Sequence, residues 1–138
     1  MPIAAVVADA NVLLSATVGK AALRVIVEHG IEVHAAEFNA AEVVEYIPRL
    51  CHKFGLPEDL VELQWRILPL VIHPERDYIR HLPWARSRLV TRDLDDAHPL
   101  ALARALRLPL WSNDRDLVGH GIDCHTTASL LRTLEDRK

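Results

Sequence analysis

The sequence predicts an α/β fold in which helices cover both faces of a central parallel sheet. Short apolar runs alternate with longer amphipathic stretches along the chain, and this alternation is typical of strand–helix–strand units. The first run, Ile3 to Ala8, is continuously apolar, as expected for a strand buried on both faces. The length of 138 residues is that of one domain, so we predict a single domain over residues 1–138.

The predicted elements follow from the spacing of apolar residues and from glycine and proline boundaries. Lys20–His29 has helical spacing and stops at Gly30, a common C-terminal signal. We expect Pro48 to kink its helix, whereas Pro57 and Pro99 are expected in first turns, where proline is tolerated. The predicted strands are 3–8, 31–35, 71–72, 108–111 and 121–124, and the predicted helices are 20–29, 40–54, 57–68, 75–90 with a break near Pro83, 96–106 and 127–134.

Composition excludes several classes of protein. No apolar run approaches the ~18 residues of a membrane span, and the apolar N-terminus lacks the basic flank of a signal peptide. Cys51 and Cys124 have no CxxC spacing, so we expect neither a disulfide framework nor a zinc knuckle, and we predict a cytoplasmic location. The net charge of −3 does not favour nucleic acid, although a local cation or basic patch can compensate for it.

Four carboxylates are predicted to meet at one edge of the sheet. Asp9 follows the first strand, Asp114 follows the strand at 108–111, Asp96 opens a helix, and Glu42 lies in the first turn of the helix after the second strand. Ligands of open parallel sheets bind outside the carboxyl ends of the strands. An oxygen-rich set of side chains suits Mg²⁺ or Mn²⁺, so we predict a site for one of these ions.

Each carboxylate also has a purely structural interpretation. Asn39 and Glu42 form an N-x-x-E pattern close to a capping box. Asp9 and Asn11 are also compatible with a simple turn of the chain, and Asp114 and Asp116 with helix caps. The acidic residues Asp93, Asp95 and Asp96 are compatible with a solvated turn in which one of them is a cap.

Four segments together resemble the PIN-domain ribonucleases, whose best-known members are toxins of bacterial and archaeal toxin–antitoxin pairs. The segments are VVADANVLLSA, AAEFNAAEVVEYI, RDLDDAHPLALARAL and LPLWSNDRDL. With the start of the first strand they span residues 3 to 117, and their order and spacing carry the resemblance more than any one of them does.

The resemblance implies a three-layer α/β/α domain that hydrolyses phosphodiester bonds in RNA with Mg²⁺ or Mn²⁺. It also implies a cognate antitoxin and a homodimer as partners. Its implied metal ligands are Asp9, Glu42 with Glu45 as the fallback, Asp96 with Asp95 as the competitor, and Asp114. Asp116 is implied as a further catalytic group that is a ligand or orients one, with Asn11, Ser112 and Asp93 in supporting roles.

Candidates for substrate contact are Arg86, Arg88 and Arg92, within a stretch that also contains Arg76 and Arg80. The alternative is that these arginines form a solvated helix face. His98 lies closest to the predicted site, but no histidines have metal-ligand spacing such as HExxH, and we interpret it as a surface residue.

Three questions remain open at this level. A haloacid-dehalogenase-type phosphatase also begins with an aspartate after its first strand, but it expects a second aspartate where this chain has Asn11. A non-catalytic PIN module that binds RNA or a protein is the other alternative. The apolar stretch VELQWRILPLVI, residues 61–72, is expected either in the dimer interface or in the protomer's own core.

Overall fold

The computed structural model describes residues 3–89 and 93–136. Its strands are β1 (Ala5–Ala8), β2 (Glu32–Ala36), β3 (Leu70–His73), β4 (Leu110–Trp111) and β5 (Cys124–His125). Its helices are α1 (Ala10–Thr17), α2 (Ala21–His29), α3 (Glu37–Phe54), α4 (Glu58–Ile67), α5 (Leu82–Arg88), α6 (Ala97–Leu106) and α7 (Thr127–Glu135). Short 3₁₀ turns lie at Glu75–Asp77, Ile79–His81, Leu94–Asp96 and Arg115–Leu117.

The five strands form one parallel sheet in the order β3-β2-β1-β4-β5. Val7 of β1 lies opposite His34 of β2 on one side and Leu110 of β4 on the other. The chain first builds outward from β1 through β2 to β3, and later adds β4 and β5 on the opposite side. The strand order therefore reverses between β1 and β4, and such a switch point opens a crevice at the carboxyl ends of the strands.

Alternate residues of the strands supply two separate cores, which confirms the predicted three-layer α/β/α arrangement. Val6 and Val33 pack with the buried faces of α1, α2, α3 and α7. Val7, Ala36 and Leu110 pack with α5 and α6 on the other face. Because neighbouring side chains of a strand point to opposite faces, the continuous apolar run of β1 is buried from both sides.

The structure corrects the prediction at the first helix. Residues 10–17 form α1, where we predicted no helix. The short length of the helix and its lack of charged residues concealed its periodicity from sequence inspection.

The start of α3 is a second correction. The helix begins at Glu37, with Ala36 at the N-cap position, instead of at Ala40. Asn39 and Glu42 therefore lie inside the helix, and the capping-box interpretation is wrong. The helix continues through Pro48 to Phe54.

Smaller differences concern element boundaries. Pro57 is the N-cap residue of α4 and precedes its first turn. The predicted helix at 75–90 is two 3₁₀ turns followed by α5, and its predicted last residue lies outside the described residues. The last two strands are each shorter than predicted, and β5 begins at Cys124.

No single helix in the described ranges is long and apolar enough to cross a membrane. The helices α1 and α2 meet the length and composition criteria only when taken as a pair, which is bent by 82°. Cys51 and Cys124 are free thiols.

Candidate metal centre

Three aspartates meet at the crevice between β1 and β4. Asp96 precedes α6, and Asp114 and Asp116 lie in the segment after β4. One carboxylate oxygen from each of the three lies within 4.8 Å of the other two. We call these three residues the aspartate cluster; all are partly accessible to solvent.

Asp9 lies beside the aspartate cluster and is held by two hydrogen bonds. The residue is only 5% exposed. Its Oδ1 accepts a hydrogen bond from the backbone N–H of Val12 at 2.9 Å, which caps α1. Its Oδ2 accepts a short hydrogen bond from the hydroxyl of Ser112. Burial raises the pKa of Asp9 above its usual value, and the negative charge of Asp114 raises it further.

Ser112 connects the end of β1 to the segment after β4. Its hydroxyl donates to Asp9 and accepts a hydrogen bond from the backbone N–H of Asp114 at 3.0 Å. Asp114 in turn accepts a bond from the backbone N–H of Asp116 at 2.9 Å, which caps the turn at Arg115–Leu117. Asp114 is therefore a cap, as its structural interpretation predicted, whereas Asp116 lies within the turn and caps nothing there. Capping by Asp114 is compatible with metal binding because a carboxylate oxygen has further lone pairs.

Asp96 is the most strongly perturbed carboxyl group of the cluster. Its pKa rises to about 7, first because the group is partly buried, and then because the negative charges of Asp114, Asp93 and Asp9 surround it. The close approach of the Asp114 carboxyl group adds to the shift. The surroundings of Asp96 therefore disfavour its ionised form when no cation is near.

Glu42 lies in the second turn of α3, on the side facing the acidic turn before α6. Its carboxylate accepts a hydrogen bond from the side-chain amide of Asn39 at 2.8 Å. Burial raises the pKa of Glu42, and the charges of Asp95, Asp93 and Glu45 contribute. Glu42 does not belong to the aspartate cluster. The structure therefore brings three of the predicted carboxylates together and places Asp9 beside them. The carboxylate of Glu42 instead interacts with the charges of Asp95 and Asp93.

Asn39 is a residue whose role the sequence did not reveal. It is 2% exposed, and its Oδ1 atom is buried without a hydrogen-bond partner among the described residues. The side-chain NH₂ group of Asn39 orients Glu42 by donating a hydrogen bond to it. The N-x-x-E spacing is the available signal, but the same spacing is typical of a capping box at the start of a helix.

Asn11 and Glu42 line an open pocket of about 410 Å³ between α1 and α3. Glu45, Tyr46 and Arg49 also line it. Glu42 and its predicted alternative Glu45 therefore line the same pocket.

The structure distinguishes the other pair of alternatives: Asp96 belongs to the aspartate cluster and Asp95 does not.

The predicted substrate arginines have different environments. Arg88 donates hydrogen bonds to the Gly119 carbonyl and to Nδ1 of His120, each at 3.2 Å. Arg86 is exposed at the end of α5. Arg92 lies outside the described residues.

His98 is buried, which corrects its interpretation as a surface residue. It is 5% exposed, its Nδ1 lies 2.7 Å from the hydroxyl of Tyr78, and its ring stacks on Phe38 with centroids 3.8 Å apart. Burial lowers the pKa of the imidazole. Because His98 lies two residues after Asp96, these contacts fix the start of α6 and with it the position of that aspartate.

A comparison with known families agrees with this architecture. The family model described as PIN domain matches residues 7–135 of the chain. The matched region contains the whole sheet apart from the first two residues of β1, together with all the carboxylates described above. No curated protein matches the sequence significantly. Because the family match extends over almost the entire chain, the protein belongs to the PIN-domain family, whose members are in general nucleases.

Proposed function

We propose that the protein is a metal-dependent endoribonuclease. The observation that carries the proposal is the aspartate cluster at the switch point of a PIN-domain sheet, with Asp9 and Ser112 beside it. Burial and then the negative charges of Asp114, Asp93 and Asp9 raise the pKa of Asp96 to about 7, as expected where carboxyl groups meet without a positive partner.

The donor set fits Mg²⁺ or Mn²⁺. Every candidate ligand is a carboxylate oxygen, and hard divalent cations prefer oxygen ligands. Asp96 and Asp114 are proposed as direct ligands, Asp116 as a ligand or an orienting group, and Asp9 and Glu42 as ligands directly or through water. A bound ion in such a site supplies charge neutralisation at the phosphorus and lowers the pKa of a water molecule.

The remaining residues position these groups. Ser112 holds Asp9 and the backbone of Asp114 in one hydrogen-bonded unit. Asn39 donates a hydrogen bond that orients the carboxylate of Glu42. Removal of a residue that orients a metal ligand typically lowers metal affinity or activity about 10–100-fold. We therefore expect substitutions of Ser112 and of Asn39 to lower activity.

We further propose that the nuclease is the toxin of a toxin–antitoxin pair, on the basis of the family resemblance in the four segments quoted above. Growth arrest of a bacterial host on expression, absent with Asp114→Asn and relieved by the small protein of a neighbouring gene, tests this role. Growth unaffected by an active nuclease contradicts it. A cytoplasmic location remains a prediction.

The proposed homodimer is supported by exposed apolar side chains in the stretch 61–72. Leu63, Ile67, Val71 and Ile72 are 41–68% exposed, while Val61 is buried in the core. Sedimentation at micromolar concentration is expected to show two associated chains, and Ile67→Lys is expected to dissociate them. Val27→Lys on α2 is the matched control, because Val27 is 67% and Ile67 68% exposed. A monomeric wild-type protein contradicts the proposal.

Cleavage of single-stranded RNA tests the nuclease itself. We expect cleavage with Mg²⁺ or Mn²⁺, none in chelator, and none with Asp114→Asn. RNA binding without cleavage would identify a non-catalytic module, and cleavage that persists in chelator contradicts metal dependence. The PIN-domain match does not support the phosphatase alternative. Covalent trapping of Asp9 by a phosphate analogue would be evidence for a phosphatase.

A further inference from the structure

A second polar cluster lies where β3 forms the edge of the sheet beside β2. It consists of Glu32, His34, His73 and Asp77, which we call the histidine cluster. His34 lies opposite Val71, and His73 lies opposite Ala36, so the two histidines are diagonal neighbours on one face of the sheet. Ala36 belongs to the core beneath α5 and α6, which places the histidine cluster on that face.

The two imidazoles meet edge to edge. Nδ1 of His34 lies 2.8 Å from Nε2 of His73, the ring centroids are 5.1 Å apart, and the ring planes are inclined by 28°. The centroid separation is about the N···N distance plus one ring radius at each end. The two nitrogens therefore point at each other along the line that joins the rings.

The outer nitrogen of each ring is bound to a carboxylate. Nε2 of His34 contacts Glu32, and Nδ1 of His73 lies 3.1 Å from Asp77. An ionised carboxylate only accepts hydrogen bonds, so each outer nitrogen must carry the proton of its ring. Both carboxylates thereby select the ring tautomers that leave the two inner nitrogens without a proton.

The histidine cluster therefore lacks one positive group. Two neutral imidazoles carry two N–H groups in total, and both point outward to Glu32 and Asp77. The inner nitrogens then face each other with lone pairs at 2.8 Å, an unfavourable contact unless a proton or a metal ion lies between them.

The geometry points to a binding site for a divalent transition metal such as Zn²⁺ between His34 and His73. Imidazole nitrogen is a preferred ligand of zinc, and histidine ligands of metals almost always donate their other N–H to a carboxylate or carbonyl. Both histidines have that partner here. Their side chains are 12% and 15% exposed, so the rings are held in place while water can reach the gap and complete the coordination.

The metal requires both rings to move. Zinc–nitrogen bonds of about 2.0–2.1 Å in a tetrahedral site place two nitrogens ~3.3–3.4 Å apart. The inner nitrogens therefore separate by about half an ångström from the 2.8 Å of the structure, and both rings turn so that their lone pairs converge on an ion beside the line that joins the two nitrogens.

Metal binding at this position would join three parts of the chain. It would tie β2 to the edge strand β3 and, through Asp77, to the turn at Glu75–Asp77. The adjacent Tyr78 contacts His98 at the start of α6. The expected consequence is a more stable sheet edge, because an ion that binds only the folded chain stabilises it.

Zinc titration of the untagged protein in excess Mg²⁺ tests the proposal. We expect one Zn²⁺ per chain by calorimetry and a higher melting temperature on zinc addition. His34→Gln and His73→Gln are expected to lose both effects, and Glu32→Gln is expected to weaken zinc binding about 10–100-fold. In the wild-type protein, zinc should shift the imidazole NMR signals of His34 and His73, which tests the site without any substitution.

Two controls separate this site from other zinc ligands. His52→Gln removes an exposed histidine of α3 and should leave zinc binding unchanged. Asp114→Asn should also bind one Zn²⁺ per chain, because the aspartate cluster is a different site. Zinc binding that survives both histidine substitutions, or that disappears with Asp114→Asn, overturns the proposal. The proposal is also overturned if the wild-type protein shows no saturable zinc binding. A proton shared between the two rings would then explain their contact.

Discussion

The end of β1 and the start of α6 bring a carboxylate to the same crevice in opposite ways. Asp9 is buried and fixed by hydrogen bonds from Val12 and Ser112. Asp96 also occupies an N-cap position, but its side chain makes no capping hydrogen bond, and three negative charges surround it. Asp9 is therefore part of the framework of the fold, whereas the geometry of Asp96 is favourable only when the group is protonated or faces a cation.

The largest expected effect is a loss of RNA cleavage, and we expect it for substitutions in both regions. Asp9→Asn, Asp96→Asn and Asp114→Asn each remove a charged donor from the proposed metal site, and we expect each to reduce RNA cleavage by about 100-fold or more. Initial rates on single-stranded RNA at saturating Mg²⁺ measure the effect. Near wild-type rates in all three variants would refute the assignment of the site.

Asp123 offers a matched control for these substitutions. It is an exposed aspartate immediately before β5, away from the aspartate cluster. Asp123→Asn should keep the wild-type cleavage rate, and a comparable loss there would mean that the assay reports overall charge.

Glu42 extends the comparison to α3, where a carboxylate is again held by a hydrogen bond. Glu42→Gln is expected to weaken Mg²⁺ binding and cleavage together by about 10-fold or more, because it removes a charged oxygen donor. Stability in chelator should change little or rise slightly, since burial and then the charges of Asp95 and Asp93 raise the pKa of Glu42 and so disfavour its ionised form. Mg²⁺ titration and cleavage rates measure both quantities.

Glu45→Gln is the control for that experiment. Glu45 is exposed three residues further along α3 and lines the same pocket. We expect its substitution to keep most of the activity. The reverse pattern, with activity lost at position 45 and retained at position 42, would move the proposed ligand to Glu45.

The two regions should also differ in how they tolerate loss of the side-chain oxygen. At position 9, asparagine can still accept the bond from Val12, whereas alanine cannot. We expect Asp9→Ala to be less stable than Asp9→Asn by about 1 kcal/mol, the usual contribution of an N-cap. At position 96, where no capping bond exists, the asparagine and alanine variants should have nearly equal stability. Urea unfolding in chelator measures the four values, and equal differences at the two positions would contradict the contrast.

Much of this architecture was accessible from the sequence because its signals are local. The continuous apolar run at residues 3–8 and the stop at Gly30 identify their elements without tertiary information. The order of the four acidic segments was sufficient to identify the PIN-domain family. The parallel sheet then followed from the alternation of strands and helices.

The features that the sequence did not reveal depend on contacts between distant segments. His98 looked like a surface residue because its burial comes from Tyr78 and Phe38, twenty and sixty residues away along the chain. The direct contact of His34 and His73 requires the register of β2 against β3. The start of α3 was misplaced because an N-x-x-E pattern has the same spacing inside a helix as at its cap.

The smallest expected effect is a pH dependence of stability that comes from the start of α6. The pKa of Asp96 rises from 3.8 to about 7 on folding, so the folded protein binds more protons than the unfolded chain between these values. Its contribution to stability is then fully present below about pH 4 and is lost as the pH rises through 7. Asp9 and Glu42 shift in the same direction, but Asp96 is only half-buried and its contribution is reduced by solvent screening. Burial lowers the pKa of His98, so this histidine acts in the opposite direction over part of the range, and the test is the comparison of the wild-type protein with Asp96→Asn. From pH 4 to pH 8 the free energy of unfolding in chelator should fall more, or rise less, in the wild-type protein than in Asp96→Asn. Added Mg²⁺ should reverse the trend, because the ion competes with the proton and binds more tightly as the pH rises. A pH profile that Asp96→Asn leaves unchanged would mean that the repulsion at the start of α6 is relieved by something other than a proton or a cation.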